Sequence, residues 1–175
     1  MNDTYTGAIS LSIFGESHGP AVGATLSGLA AGVPVDEAYI AREMDKRRAA
    51  GKLSTKRTEP DKVHFLSGVY RGFTTGTAVT LVIENTNTRS EDYAKTQDLL
   101  RPGHADWTAH LKYRGFQDAR GGGHFSGRLT APLVAACAIL KQMLEKRGVV
   151  IGTHLAQCAG VEDEPLAPGG EALAR

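Results

Sequence analysis

Two of the six histidines stand on glycine turns, His18 in Gly15-Glu16-Ser17-His18-Gly19 and His104 in Arg101-Pro102-Gly103-His104-Ala105-Asp106. Glycine removes the side chain that would crowd a bound ligand, and imidazole is the group whose ordinary pKa lets it take or give a proton near neutrality. Together they predict proton-transfer chemistry. The stretch from Gly15 to Gly19 also satisfies G-x-S-x-G, the nucleophile elbow of serine hydrolases, which requires a sharp turn from a strand into a helix. Here Pro20-Ala21-Val22-Gly23 follows with strand-like alternation, so Ser17 lacks that helix. A turn chosen only for its glycines is the alternative for this pentapeptide.

Two further segments suit anions. Lys46, Arg47, Arg48, Lys52, Lys56 and Arg57 surround Ala49-Ala50-Gly51, where guanidinium forks could converge on a phosphate or carboxylate. A solvated face accounts for the same charges, and no aromatic residues are interleaved to stack nucleic-acid bases. The run from Ala119 to Thr130 contains Gly121-Gly122-Gly123 ahead of a helix pattern, an arrangement that can wrap backbone N–H groups around phosphate. It lacks the Gly-Lys-Ser/Thr ending of a P-loop and the dinucleotide G-x-G-x-x-G spacing. Phosphate or flavin contact, or a plain linker, remains. No metal is expected, since His104 and His110 are six apart with no ligand pattern around them. His64 and His154 lie in strand patterns and read as structural, His110 as a helix-surface residue, and Met44, Met143 and the aromatics as core filling.

The elements that must position these residues follow from periodicity. Ile9, Leu11 and Ile13 alternate with serines as a strand entering the first glycine turn, and a second strand is expected from Val22 to Leu29. Asp36 can cap a helix running through Met44 to Arg48, with Gly51 as its stop and cations near its negative end. Val63 to Tyr70 and Ala78 to Glu84 are expected strands joined across Gly72 to Gly76 as a hairpin, which makes the sheet antiparallel. Trp107 and Leu111 suggest a short helix beginning just after His104 and ended by Gly115. Thr130 is the expected cap of the next helix, whose Leu133, Val134, Cys137, Leu140 and Leu144 have helical spacing up to Gly148. Val149 to Leu155 resumes a strand pattern, and the acidic, then Pro-, Gly- and Ala-rich tail reads as an interrupted loop.

At 175 residues, with 41% apolar and 22% charged side chains, the chain can build one sizeable core. Twenty basic residues against 19 acidic leave a net charge of +1, so no global field draws nucleic acid or a membrane surface. The longest nearly apolar run, Leu129 to Leu140, is too short to span a bilayer. Cys137 and Cys158 lie outside metal-ligand spacing, and no signal peptide precedes the first apolar segment, which fits a reducing cytoplasm.

Taken in order, these segments resemble chorismate synthase from about Gly15 to the helix end near Arg147. The resemblance is carried by the His18 pentapeptide, Leu66-Ser67-Gly68-Val69, Thr74-Thr75-Gly76-Thr77, Ile83-Glu84-Asn85-Thr86, Arg89-Ser90, Asp92-Tyr93, the His104 hexapeptide, and the triple glycine with Ser126, Arg128 and Thr130. It implies an α+β fold, a β-α-β sandwich of antiparallel sheets packed with helices, here a single incomplete domain over residues 1–175. It also implies a cytoplasmic carbon–oxygen lyase of aromatic amino-acid biosynthesis, which eliminates phosphate from 5-enolpyruvylshikimate 3-phosphate in the anti-1,4 sense to give chorismate. Reduced FMN is the implied cofactor, NADPH the candidate reductant, and a homotetramer the implied assembly, with no nucleic acid or membrane partner. By resemblance His18 protonates the departing phosphate and His104 keeps a proton on the reduced flavin. Arg47, Lys52, His124, Phe125 and Ser126 are the implied cofactor contacts, and Arg47, Arg48 and Arg128 the implied substrate contacts.

Two segments depart from the family. Many members read Arg-Ser-Ser-Ala-Arg-Glu-Thr where this chain has His124-Phe125-Ser126-Gly127-Arg128-Leu129-Thr130, and Ala49-Ala50-Gly51 replaces a Pro-Gly start with one residue fewer. The family's chain is also longer. Its remaining half carries further flavin and substrate contacts and an aspartate implicated in proton removal, so the 175-residue chain alone is expected to be inactive. The other class of function open to it is a phosphate- or flavin-binding module without catalysis.

Overall fold

A computed structural model describes residues 3–48, 60–86 and 99–165. The chain divides into two compact units, residues 1–139 and 140–175. In the first unit, β1 (Thr4–Tyr5), β2 (Ser10–Gly15), β3 (Ala21–Ser27), β4 (Val63–Ser67) and β7 (Val79–Glu84) form an antiparallel sheet in the order β1-β2-β3-β7-β4. The register explains the core. Leu11 faces Leu26, Val22 faces Ile83, Ala24 faces Leu81 and Leu26 faces Val79, so these apolar residues share one face. All of them are nearly or fully buried. The opposite face is mixed: Thr25 and Thr80 lie across from each other with hydroxyls 3.2 Å apart, and Phe14 lies over Gly23. The period of two in the sequence is thus the physical sorting of one sheet surface from the other.

Helices complete the core. In α1 (Glu37–Arg47) the Asp36 carboxylate accepts the Tyr39 N–H at 3.0 Å, as expected of a capping residue, and Ile40 and Met44 are the buried positions. In α3 (Thr130–Glu145), Ala131, Ala135, Ala136, Ala138 and Ile139 are buried, small residues that allow close approach. The aromatic residues expected as core filling are largely at the surface instead. Trp107, Tyr70 and Phe116 are each more than half exposed, and the core is aliphatic.

Three local expectations change. The connection from β4 to β7 is longer than a simple hairpin turn. It contains its own two-stranded ribbon, β5 (Val69–Tyr70) with β6 (Phe73–Thr74), closed by Arg71 and Gly72, both in the left-handed region. Thr130 is the first residue of α3 and not its cap, because its hydroxyl donates back to the Gly127 carbonyl at 2.6 Å. In the second unit, Val149 to Leu155 forms no strand. The pairing there is a hairpin of β8 (Gln157–Cys158) and β9 (Val161–Glu162) across Ala159-Gly160, and His154 lies outside it, 3.2 Å from Asp163. Gly148, at φ +76°, ends α3 as expected, with Val149 N–H donating to the Leu144 carbonyl and Gly148 N–H to that of Glu145. Among the described residues no helix is long and apolar enough to cross a membrane.

Candidate active site

The β2–β3 turn carries His18, and the segment between α2 (Asp106–Tyr113) and α3 is folded over it. That segment contains a sharply kinked turn, Arg120–Phe125, in which Gly121, Gly122 and Gly123 leave helical geometry with φ of +58°, +92° and +54°. The run is required by contact as well as by backbone angle. A Cβ on Gly121 would overlap the His18 ring, one on Gly122 would come within 2.9 Å of His104 Nε2, and one on Gly123 would collide with the Asp118 carbonyl. Consecutive Cα atoms lie about 3.8 Å apart. The two histidines, 86 residues apart in sequence, are therefore seated on adjacent glycines.

His18 is held by neutral hydrogen bonds. Ser17 N–H donates to the Gly123 carbonyl at 3.1 Å, and Ser17 Oγ lies 3.2 Å from the carbonyls of both Arg120 and Gly121. Carbonyls only accept, so the single hydroxyl proton goes to them and Ser17 Oγ is left to accept at His18 Nδ1, 3.1 Å away. Ser17 is fully buried and β3 follows it, an arrangement unlike that of an exposed hydrolase nucleophile. Asn85, just past β7, straps the turn: its Nδ2 donates to the Glu16 carbonyl at 3.0 Å and the Gly19 carbonyl at 2.9 Å.

His104 is held by charge. Its Nδ1 lies 2.5 Å from Asp106 Oδ1, and Arg101 grips the same carboxylate through its backbone N–H, Nε and Nη2 at 2.8 to 2.9 Å. The Arg101 guanidinium, helped by its backbone N–H and by His104, outweighs partial burial and holds the Asp106 carboxyl well below the usual carboxylate range. Asp106 is also the first residue of α2, where a negative charge complements the helix dipole.

The expected basic ligands divide. Arg47 turns inward, its Nη1 2.5 Å from Asp61 Oδ2 and its Nη2 3.4 Å from Thr130 Oγ1. Arg48 points elsewhere, to Asp45 at 3.0 Å and the Pro60 carbonyl at 2.9 Å. Arg128 is only 8% exposed, and each guanidinium nitrogen is committed: Nη1 to Asp61 Oδ1, Nε to Asn85 Oδ1 at 2.9 Å, Nη2 to the Glu84 carbonyl at 3.1 Å. These bonds make Arg128 a strut linking the His18 strap to Asp61. Lys52, Lys56 and Arg57 lie outside the described residues, as do Arg89, Ser90, Asp92 and Tyr93.

The cofactor candidates after the glycines stand in one place. His124 Nδ1 donates to the Gly15 carbonyl at 2.8 Å, and Nε2 lies 3.4 Å from Asp3. Phe125 packs against Tyr113, with ring centroids 6.0 Å apart. Both line a cleft of about 440 Å³ whose other walls include Phe14, Phe116, Glu16 and Asp118. Ser126 is turned the other way, accepting the Arg128 N–H at 3.3 Å.

Three residues in this site carry no role in the motif reading. Asn85 and Asp106 stand inside resembling segments, and Asp61 stands outside them. Position at the end of a strand or at a helix's first turn is the only signal that marks the first two. Asp61, with φ +47°, has none beyond its place in a Pro-Asp pair before a strand.

A family model for chorismate synthase matches residues 9–172. Over 152 residues the chain is 50% identical to the chorismate synthase of Aeropyrum pernix, a match covering 87% of this chain and 40% of the relative. Over 161 residues it is 47% identical to that of a Sulfurovum species, covering 91% and 45%. The crystal structure of a chorismate synthase superposes with a TM-score of 0.57 at 30% identity, over 80% of this chain and 35% of that one. The chain thus spans less than half the length of these relatives.

Proposed function

This chain belongs to the chorismate synthase family, and on that premise we propose that it binds 5-enolpyruvylshikimate 3-phosphate beside reduced FMN and supplies two imidazoles to the anti-1,4-elimination that yields chorismate. The observation that carries the proposal is the seating of His18 and His104 on Gly121 and Gly122. Two proton carriers on one glycine tripeptide can serve two faces of one bound assembly.

The residues present fit a flavin. The cleft beside the loop has a volume in the range of small-molecule sites and aromatic walls in Phe14, Phe116 and Phe125. Glu16 in its lining disfavours phosphate, whereas Asp118 is already paired with Arg120 at 2.7 Å, so the cleft suits the planar ring of FMN and not the phosphate tail. His124 and Phe125 would hold that ring, and reduced FMN, when bound, supplies an electron-rich surface for carbon–oxygen cleavage without net redox change. His18, whose Nδ1–H is given to Ser17, presents Nε2, which in the imidazolium form donates to the departing phosphate, where a proton offsets charge developing on oxygen. His104 holds a proton at the cofactor. Arg47, held between Asp61 and Thr130, is the basic contact shared by cofactor and substrate, and Arg48, just past α1 and about half exposed, is the outer contact for a carboxylate. Arg128 acts by keeping Asp61 and Asn85 in place. NADPH as reductant and a homotetrameric, cytoplasmic enzyme follow from the family alone.

A second reading is a phosphate- or flavin-binding module without turnover, favoured by the engagement of Arg47 and Arg128 with Asp61 inside the chain. Anaerobic titration of the 175-residue protein with reduced FMN and the phosphorylated substrate tests both. Saturable perturbation of the flavin spectrum, diminished by both H18A and H104A, is expected. Absence of any saturable binding would sink the proposal, and turnover matching a full-length relative would exclude the module.

A further inference from the structure

We infer that Asp106 is a positioning residue that fixes His104 in the Nδ1–H tautomer, leaving Nε2 as the atom that exchanges protons beside the glycine loop. Asp106 Oδ1 is 2.5 Å from His104 Nδ1, and Arg101 makes three further donations to the same carboxylate. A carboxylate gripped by a guanidinium and placed in the first turn of a helix stays ionised at neutral pH. An ionised carboxylate only accepts, so the proton in this contact belongs to Nδ1.

The opposite side of the ring meets the loop. Nε2 is the atom that a Cβ on Gly122 would approach to 2.9 Å. The other charged group facing the imidazole is Arg101, whose Nη2 lies 3.1 Å from Nδ1 and 3.5 Å from Nε2. With Nδ1 already donating to Asp106, Arg101 can offer a proton only toward the Nε2 lone pair, at a distance where the bond is weak. A proton gained at Nε2 is lost again from Nε2, and the Nδ1 proton stays on the ring throughout. The catalytic consequence rests on the proposed role of His104, whereas the tautomer is a property of the chain without ligand. Failure of one is therefore distinguishable from failure of the other.

The test is a long-range ¹H–¹⁵N correlation spectrum of the 175-residue protein at a pH where the ring is neutral, with His104 assigned by loss of its signals in H104Q. Nδ1 is expected at the protonated shift and Nε2 at the unprotonated one, with the Nδ1 proton moved downfield by the short bond. A majority Nε2–H form in the wild-type protein overturns the proposal, whatever the variants do. In D106A the ring should revert to the Nε2–H form that free histidine favours, while R101Q, which keeps the carboxylate, should retain Nδ1–H. Retention in D106A with loss in R101Q would transfer the role to Arg101 and also overturn it.

Discussion

The two histidine turns meet the same glycine run but are held in place by different physics. The His18 turn is a product of the sheet: β2 and β3 fix its ends, buried Ser17 ties it to three backbone carbonyls of the glycine loop, and Asn85 straps it from β7. The His104 turn lies before a helix of eight residues and is held by the Arg101–Asp106 ion pair, with Arg101 about half exposed. Neutral buried bonds resist salt and pH, whereas partly exposed charge responds to both. The site thus pairs a stiffly held imidazole with an electrostatically tunable one.

The largest effect is expected at Asp61, the carboxylate shared by Arg47 and Arg128. Removing one partner of a buried ion pair strands the other charge, at a cost of about 3–5 kcal/mol. D61A should therefore lower the denaturation midpoint more than any change at the His104 turn, measured by chemical unfolding. A loss no greater than that of an exposed charge would show that Arg128 is not the strut of the His18 side.

Gly121 comes next. An alanine there combines a left-handed backbone with overlap on the His18 ring, about 2–3 kcal/mol together. Gly103, beside His104, also has a positive φ, of +77°, but has nothing within 4 Å of an added Cβ, so G103A should cost only about 1 kcal/mol. Equal losses in the two variants would break the contrast between the packed turn and the open one. N85A should follow at about 1–2 kcal/mol, because the carbonyls of Glu16 and Gly19 lose a donor. Its His104 tautomer should be unchanged.

The same contrast governs what could be read from the sequence. β2, β3 and β7 announce themselves by alternation, and Asp36 and Gly148 bound their helices with local chemistry that any short window contains. The pairing of His18 with His104 is different. Each turn is visible, but their meeting depends on a glycine loop lying more than 100 residues from the first. Arg128 has internal partners that are illegible for the same reason. Its inward direction is set by Asp61, 67 residues earlier, and by Asn85, 43 residues earlier, and no local pattern registers either partner. Val149 to Leu155 shows the converse, since its β-prone residues pair with no strand among the described residues and form none.

The smallest effect concerns acid. Arg101 depresses the Asp106 pKa in the folded chain, whereas in the unfolded chain the group titrates near its ordinary value of about 3.9. The unfolded state thus takes up the proton first as pH falls, and linkage gives the sign: the contribution is complete above the unfolded value and is lost progressively below it. In R101Q the folded pKa moves back toward the unfolded one. Less stability is then available at neutral pH, and less is lost on acidification. Chemical unfolding of wild type and R101Q should therefore show curves that converge below about pH 4, with the gap at neutral pH narrowed by salt because the guanidinium is exposed. No such convergence is expected for N85A, whose lost partners, two carbonyls and the Arg128 guanidinium, take up no proton in acid. If the N85A curve also converged with wild type in acid, the division between a neutral and an ionic turn would not hold.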